Sequence, residues 1–240
     1  MKKNNVSISG IIIASILLVT FSAMANAQPG DTVGGKKYEI KGKVEMDKHA
    51  IDKLMDDSEE DGEVEMSPDG KSIVDLEGKF KISQDKSFEE ACLDFIDRHK
   101  DAFGLKAPRE ELKTSNELIF YNQKDGSNHI LFNQYYHGLR IMKNTYPIMQ
   151  ANFYIHRNKD GYIYAIDCRQ ETTPEISIKP IITITEAEEI ARKYSKLKNL
   201  RLYPCIYGSR LAYAVGPGYI AFFMDANTGG KLSIPEINGE

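Results

Sequence analysis

The chain has 240 residues and carries 31 Lys and Arg against 35 Asp and Glu, a formal charge of −4 that argues against nucleic acid as a partner. Hydrophobic residues make up 41% of it, enough to bury a real core or two small ones.

The N-terminus reads as a secretory signal. Lys2 and Lys3 precede an apolar block from Ile11 to Val19, and the small residues Ala25, Asn26 and Ala27 follow, placing a cut before Gln28. That block is shorter than the roughly 20 residues of a spanning helix, and no later stretch is long enough to cross a bilayer. The expected location is therefore secreted or periplasmic, with no membrane span after cleavage. Removing residues 1–27 takes away Lys2 and Lys3 and no acid, which moves the formal charge from −4 to −6 and leaves 213 residues.

Residues 28–77 are poor in aromatics and dense in acid, most of all over 56–63, and predict a mobile, solvated arm, since a block of like charges resists packing. Asp57, Glu59, Asp61 and Gly62 fall near positions 1, 3, 5 and 6 of a calcium loop. Position 12 is then Pro68, where a bidentate Glu is required, so the match fails.

Order is predicted from Ser87 onward. Phe88, Ala91, Cys92, Phe95, Ile96 and His99 recur at helical spacing, with Ser87 and Glu90 as a capping box and Gly104 as the stop. After Pro108 the period changes to two. Leu118 to Tyr121, Ile130 to Tyr136, Leu139 to Met142, Ile148 to Ile155 and Tyr162 to Ile166 read as strands joined by short turns, hence an antiparallel meander for the helix to cover. Within it Ile130, Phe132, Gln134 and Tyr136 share one face, and His129, Leu131, Asn133 and Tyr135 the other.

A polar segment with Pro174 and Pro180 leads to a second unit. Thr185 and Glu188 suggest a capping box, and Ala187, Ile190, Ala191 and Tyr194 a helical stripe. Four strand-like runs follow: Leu202 to Tyr207, Leu211 to Val215, Tyr219 to Met224 and Lys231 to Ile234. The pattern of a helix followed by antiparallel strands thus occurs twice, giving an α+β chain with two lobes over residues 78–172 and 173–240.

No motif announces catalysis. The zinc-protease H-E-x-x-H, the G-x-S-x-G elbow, C-x-x-C and phosphate-cradling glycine loops are all missing, so no catalytic residue, cofactor or metal is expected. His129 and His137 could share a sheet edge as metal ligands, although cross-strand polar filling is the commoner role. The tyrosine-rich strands could line a recognition face, although ordinary cross-strand packing is again commoner. Of the three cysteines, Cys92 lies on the first helix's apolar face. A Cys168–Cys205 disulfide would clamp the two halves, but spacing alone does not fix the pairing.

One stretch carries a resemblance. Asp125-Gly126 followed by H-I-L-F-N-Q-Y-Y-H-G-L-R-I over residues 129–141 resembles the D-G, H-V-R-F-Q-Q-x-Y-x-G-V-P-V pattern in the propeptides of thermolysin-type and fungalysin-type metalloproteases. Upstream, residues 91–105 are similar to that family's helix ending in F-G-L. Downstream, 187–195, L-A-Y-A-V over 211–215 and D-A-N-T-G over 225–229 resemble the PepSY domain of the same proteases. Arg140 stands where the pattern has proline, and Lys143 and Asn144 where it has paired glycines.

The resemblance implies two cystatin-like lobes, each a helix packed on an antiparallel sheet. It also implies a non-catalytic propeptide-like protein that binds a thermolysin-like metalloprotease in trans, as protease inhibitor or folding assistant. In that mode the C-terminal segment, with Ser233, Ile234, Pro235 and Glu236, approaches the partner's cleft while Gln134, Tyr136 and Arg140 help to dock. The alternative is a stand-alone envelope or extracellular binding module with no protease partner.

Overall fold

The structure, a computed structural model, describes residues 31–143, 150–171 and 173–234. The export signal expected over residues 1–27 lies outside them. The N-terminal part forms β1 (Asp31–Val33), β2 (Lys36–Lys41), helix α1 (Lys48–Asp56), β3 (Gly62–Met66) and β4 (Ile73–Lys81). Next come α2 (Phe88–Arg98), α3 (Pro108–Glu111), β5 (Leu112–Lys113), β6 (Ile119–Tyr121), β7 (Asn128–Tyr136), β8 (Leu139–Met142), β9 (Asn152–Arg157) and β10 (Tyr162–Arg169). The C-terminal part holds α4 (Ile184–Tyr194), β11 (Arg201–Tyr207), β12 (Arg210–Gly216), β13 (Phe222–Asp225) and β14 (Lys231–Leu232).

These fourteen strands form one hydrogen-bonded run, in the order β1-β2-β3-β4-β10-β9-β7-β8-β11-β12-β13-β14, with β5 and β6 added on β7. The expected pair of cystatin-like lobes, each a helix on its own antiparallel sheet, is therefore not what the chain builds. Two features overturn it. The sheet is mixed, because β2 and β3 pair parallel and so do β8 and β11. It is also continuous, because β7 pairs with β9 through residues 128–133 and then with β8 at Tyr135 and Tyr136.

The acidic N-terminal segment belongs to this sheet and is not a mobile arm. Its charges point outward while interleaved apolar side chains point in. Ile51, Leu54 and Met55 of α1 are buried with Val64 and Met66 of β3 and Ile73, Leu76 and Phe80 of β4. Lys41 pairs with Glu63, and Lys79 with Glu59 and Glu60, so the acid block meets cations across strands rather than only repelling itself. Among the described residues no three His, Cys, Asp or Glu side chains converge as a metal group.

The α2 stripe is buried as its spacing predicts. Ala91, Cys92, Phe95 and Ile96 pack with Ile130, Phe132, Phe153, Ile155, Ile163, Ile166 and Cys168 from the sheet. Ser87 Oγ accepts from the Glu90 amide to start the helix. The C-terminal helix starts two residues before the expected box: Thr183 and Glu186 cap each other reciprocally. The same T-x-x-E spacing occurs at 183–186, and Thr185 falls inside the first turn. Ala187 and Ala191 face the second core, with Ile141, Leu202, Ile206, Tyr213, Val215 and Met224.

All three cysteines are free and buried. Cys168 sits in the first core and Cys205 on the opposite face of the second sheet region, among Met142, Tyr207 and Phe223. The Cys168–Cys205 bridge that the sequence left open is absent, since the two thiols face different cores. No described helix is long and apolar enough to cross a membrane.

His99 ties the N-terminal elements to α2. Its Nε2 lies 2.9 Å from Asp57 Oδ2 at the end of α1, its ring sits tilted against Phe95 with centroids 5.0 Å apart, and its Nδ1 has no hydrogen-bond partner among the described residues. Burial pushes its pKa down, against the raising effect of Asp57 and with the help of Arg98 and Lys53. A histidine held neutral this way contributes stability above its unfolded pKa and loses it as pH falls through the lower folded value. The denaturation midpoint is expected to fall with acidification in that range, and His99→Gln to flatten the slope. Equal slopes in both proteins would contradict this reading.

Candidate functional site

The sheet region from β8 to β14 has two faces, and α4 covers only one. On the open face β8 presents Arg140 and Met142, β11 presents Tyr203, Cys205 and Tyr207, and β12 presents Ala212 and Ala214. The small side chains of β12 leave a trough of about 650 Å³, walled by Tyr135, Arg140, Met142, Tyr203, Tyr219 and Ile220. Tyr203 is 52% exposed and Tyr219 66%, so two large aromatic rings stand at a groove with an apolar floor.

Gly216 makes the groove's end. A Cβ there would lie 1.7 Å from the Tyr219 carbonyl oxygen, so only glycine lets the 216–219 turn close and raise Tyr219 over the trough. Beyond the trough Tyr207 stacks on Phe223 at 3.8 Å, and its hydroxyl donates to the Ser233 carbonyl at 3.1 Å. Ile234 packs on the same cluster. Arg140 and the Ser233–Ile234 segment thus share one face, while Pro235 and Glu236 lie outside the described residues.

Gln134 and Tyr136 are on the other face. Gln134 is 0% exposed: its Nε2 donates to the Glu171 carbonyl at 2.8 Å, and its Oε1 accepts from the Glu171 amide at 2.9 Å. A side chain spent in this way is not available to a partner, so it is a clamp and not a docking contact. Half-buried Tyr136 joins the second core, and its hydroxyl donates to the Ile176 carbonyl at 3.4 Å.

The segment after β10 is held at further points. Gln170 Nε2 donates to the Ile73 carbonyl at 2.9 Å, and Thr173 Oγ1 to Glu111 at 2.5 Å. Lys106 pairs with Glu175. What reads as a polar linker is a strap across β7.

Arg140 occupies the four-residue strand β8, flanked by β7 and by β11, opposite Tyr135 and Cys205. Proline in such a position would remove a ladder hydrogen bond, which gives a local reason for arginine where the resembling pattern has proline. Its side chain is exposed at the groove. His137 lies at the β7–β8 turn with φ 48°, against Tyr136, and does not meet His129. The residues that sequence reasoning missed are Tyr203, Tyr219 and Gly216. The dense Gly-Pro-Gly turn at 216–218 was their only signal.

Compared with protein-family models and with curated proteins, the chain matches none.

Gln134→Ala would strip two half-buried backbone groups of Glu171 of their partners, at the lower part of the usual cost of about 1–3 kcal/mol each. Chemical denaturation is expected to show a loss of about 2–4 kcal/mol. A loss below about 0.5 kcal/mol would mean that the strap does not depend on this side chain.

Proposed function

We propose that the chain is an exported, non-catalytic regulator that docks on a thermolysin-like metalloprotease in trans, with the groove between Arg140 and Tyr219 as its contact surface. The observation that carries the reading is the groove itself. Exposed tyrosines and an arginine around a small-residue floor are the composition of a protein-binding hot spot, since they supply large buried area with few rotors. The resemblance of residues 91–141 and 187–229 to protease propeptides supplies the partner class. The Ser233–Ile234 segment, on the groove's own face, stands where a C-terminal extension can reach the same partner.

A second reading is favoured by one feature. The strands β1 to β4 are built into the same sheet, an addition that two helix-on-sheet lobes do not contain. It suits a stand-alone extracellular binding module that uses the groove for another protein.

Titration of the purified protein into a panel of thermolysin-like proteases separates the two. The regulator reading expects binding at micromolar levels or tighter, with inhibition or faster recovery of active protease. Tyr219→Ala and Arg140→Glu should each weaken it about tenfold or more, since either removes an anchor at the centre of the contact. Binding to no protease in the panel would contradict the regulator and leave the module.

A further inference from the structure

On the solvent face of the first sheet region, opposite α2, two histidines meet. His129 of β7 and His156 of β9 are direct cross-strand partners, and their Nδ1 atoms lie 2.7 Å apart. Their other nitrogens are anchored. The Ser127 hydroxyl is 2.6 Å from Asp125 Oδ1 and 2.9 Å from His129 Nε2. Donating to the carboxylate, it can only accept from the histidine, so His129 Nε2 carries a hydrogen. His156 Nε2 lies 2.9 Å from Asp167 Oδ2, an acceptor, so it carries one too.

Both rings therefore turn their remaining Nδ1 positions toward each other. Two bare lone pairs at that distance repel, and the arrangement requires a cation between them. A proton satisfies it as it stands, and a metal ion does once the rings pivot so that both lone pairs converge on one point beside the N···N line.

We infer that His129 and His156 form a two-histidine site for a borderline transition-metal cation, Cu(II) foremost. The anchored Nε2–H groups, one on the Ser127 hydroxyl that Asp125 holds and one on the Asp167 carboxylate, are the outer-shell pattern that fixes metal-ligating histidines. Cis positions on a tetragonal ion with bonds of about 2.0 Å are about 2.8 Å apart, close to the spacing present, although the rings must pivot to converge on one point. Tetrahedral zinc needs about 3.3 Å and a wider opening. Asp125 and Asp167 offset the added charge.

Among the described residues no third His, Cys, Asp or Glu converges here, so water completes the coordination. The site is reachable: the His156 side chain is 15% exposed, and Tyr154 and Tyr164 flank it with ring centroids 4.3 and 5.8 Å away. A bulge in β10 between Ile163 and Ala165 fits Tyr164 and Asp167 onto this one face while Ile163 and Ile166 stay buried.

The test is titration of the purified protein with Cu(II), Zn(II) and Mg(II), read by calorimetry and, for copper, by electron paramagnetic resonance. One Cu(II) should bind with nitrogen splitting from two imidazoles, tighter than Zn(II), with Mg(II) silent. His129→Gln and His156→Gln should each weaken copper at least tenfold. Asp167→Asn, which keeps both ligands, should weaken it about 10- to 100-fold through the lost orientation. His137→Gln should change nothing. Copper that binds equally well after both ligand changes, or wild-type protein that shows no two-nitrogen signal, would overturn the site.

Discussion

The structure depends on the shared strand β7. Its first six residues complete the sheet that α2 covers, and its last two open the sheet that α4 covers. Alternation does the rest. Ile130 and Phe132 enter the first core, Tyr136 joins the second, and Gln134 between them spends its amide on the strap that returns over the junction. A polar side chain at a wholly buried position is tolerable only because both ends of its amide are satisfied, which also fixes where the strap must lie.

That junction explains the division of surfaces. α2 and α4 each cover one face of their sheet region; opposite α4 a smaller buried cluster of Met142, Cys205, Tyr207, Ala212, Ala214 and Phe223 forms, with the groove's exposed rim beside it. On the C-terminal side the groove is apolar and hollow, because Ala214 and Gly216 stand where larger side chains would fill it. On the N-terminal side the open face is polar and aromatic, with the histidine pair held between carboxylates. The two surfaces carry different chemistry, so the groove and the histidine pair answer to separate experiments.

Local patterns were legible in the sequence and long-range pairings were not. The alternation of 128–136 and the helical stripe from Ala91 to Ile96 are set by residues near in sequence and hold in the structure. The N-terminal segment misleads because its acid runs dominate the composition, while the apolar positions Val64, Met66 and Leu76 gain meaning only once β4 is paired with β10. For the same reason two separate lobes were expected: nothing in the hairpin's letters reveals that β8 finds a parallel partner in β11, some sixty residues on. His129 found a partner in His156 and not in His137, because the register of β7 on β9 places those two opposite while the turn carries His137 away. Arg140 lay within reach of reading, but Tyr203 across the groove belongs to a strand whose register is set by the sheet, and Tyr219 to the turn that joins β12 to β13.

A continuous sheet through β7 should unfold as one cooperative unit, since neither core can lose its edge without exposing the other. Differential scanning calorimetry tests this most directly. A single transition whose calorimetric enthalpy equals the van't Hoff value is the expected result. Two separate transitions, one of them surviving when Gln134 is replaced, would show that the cores are independent and that the shared strand does not govern the fold.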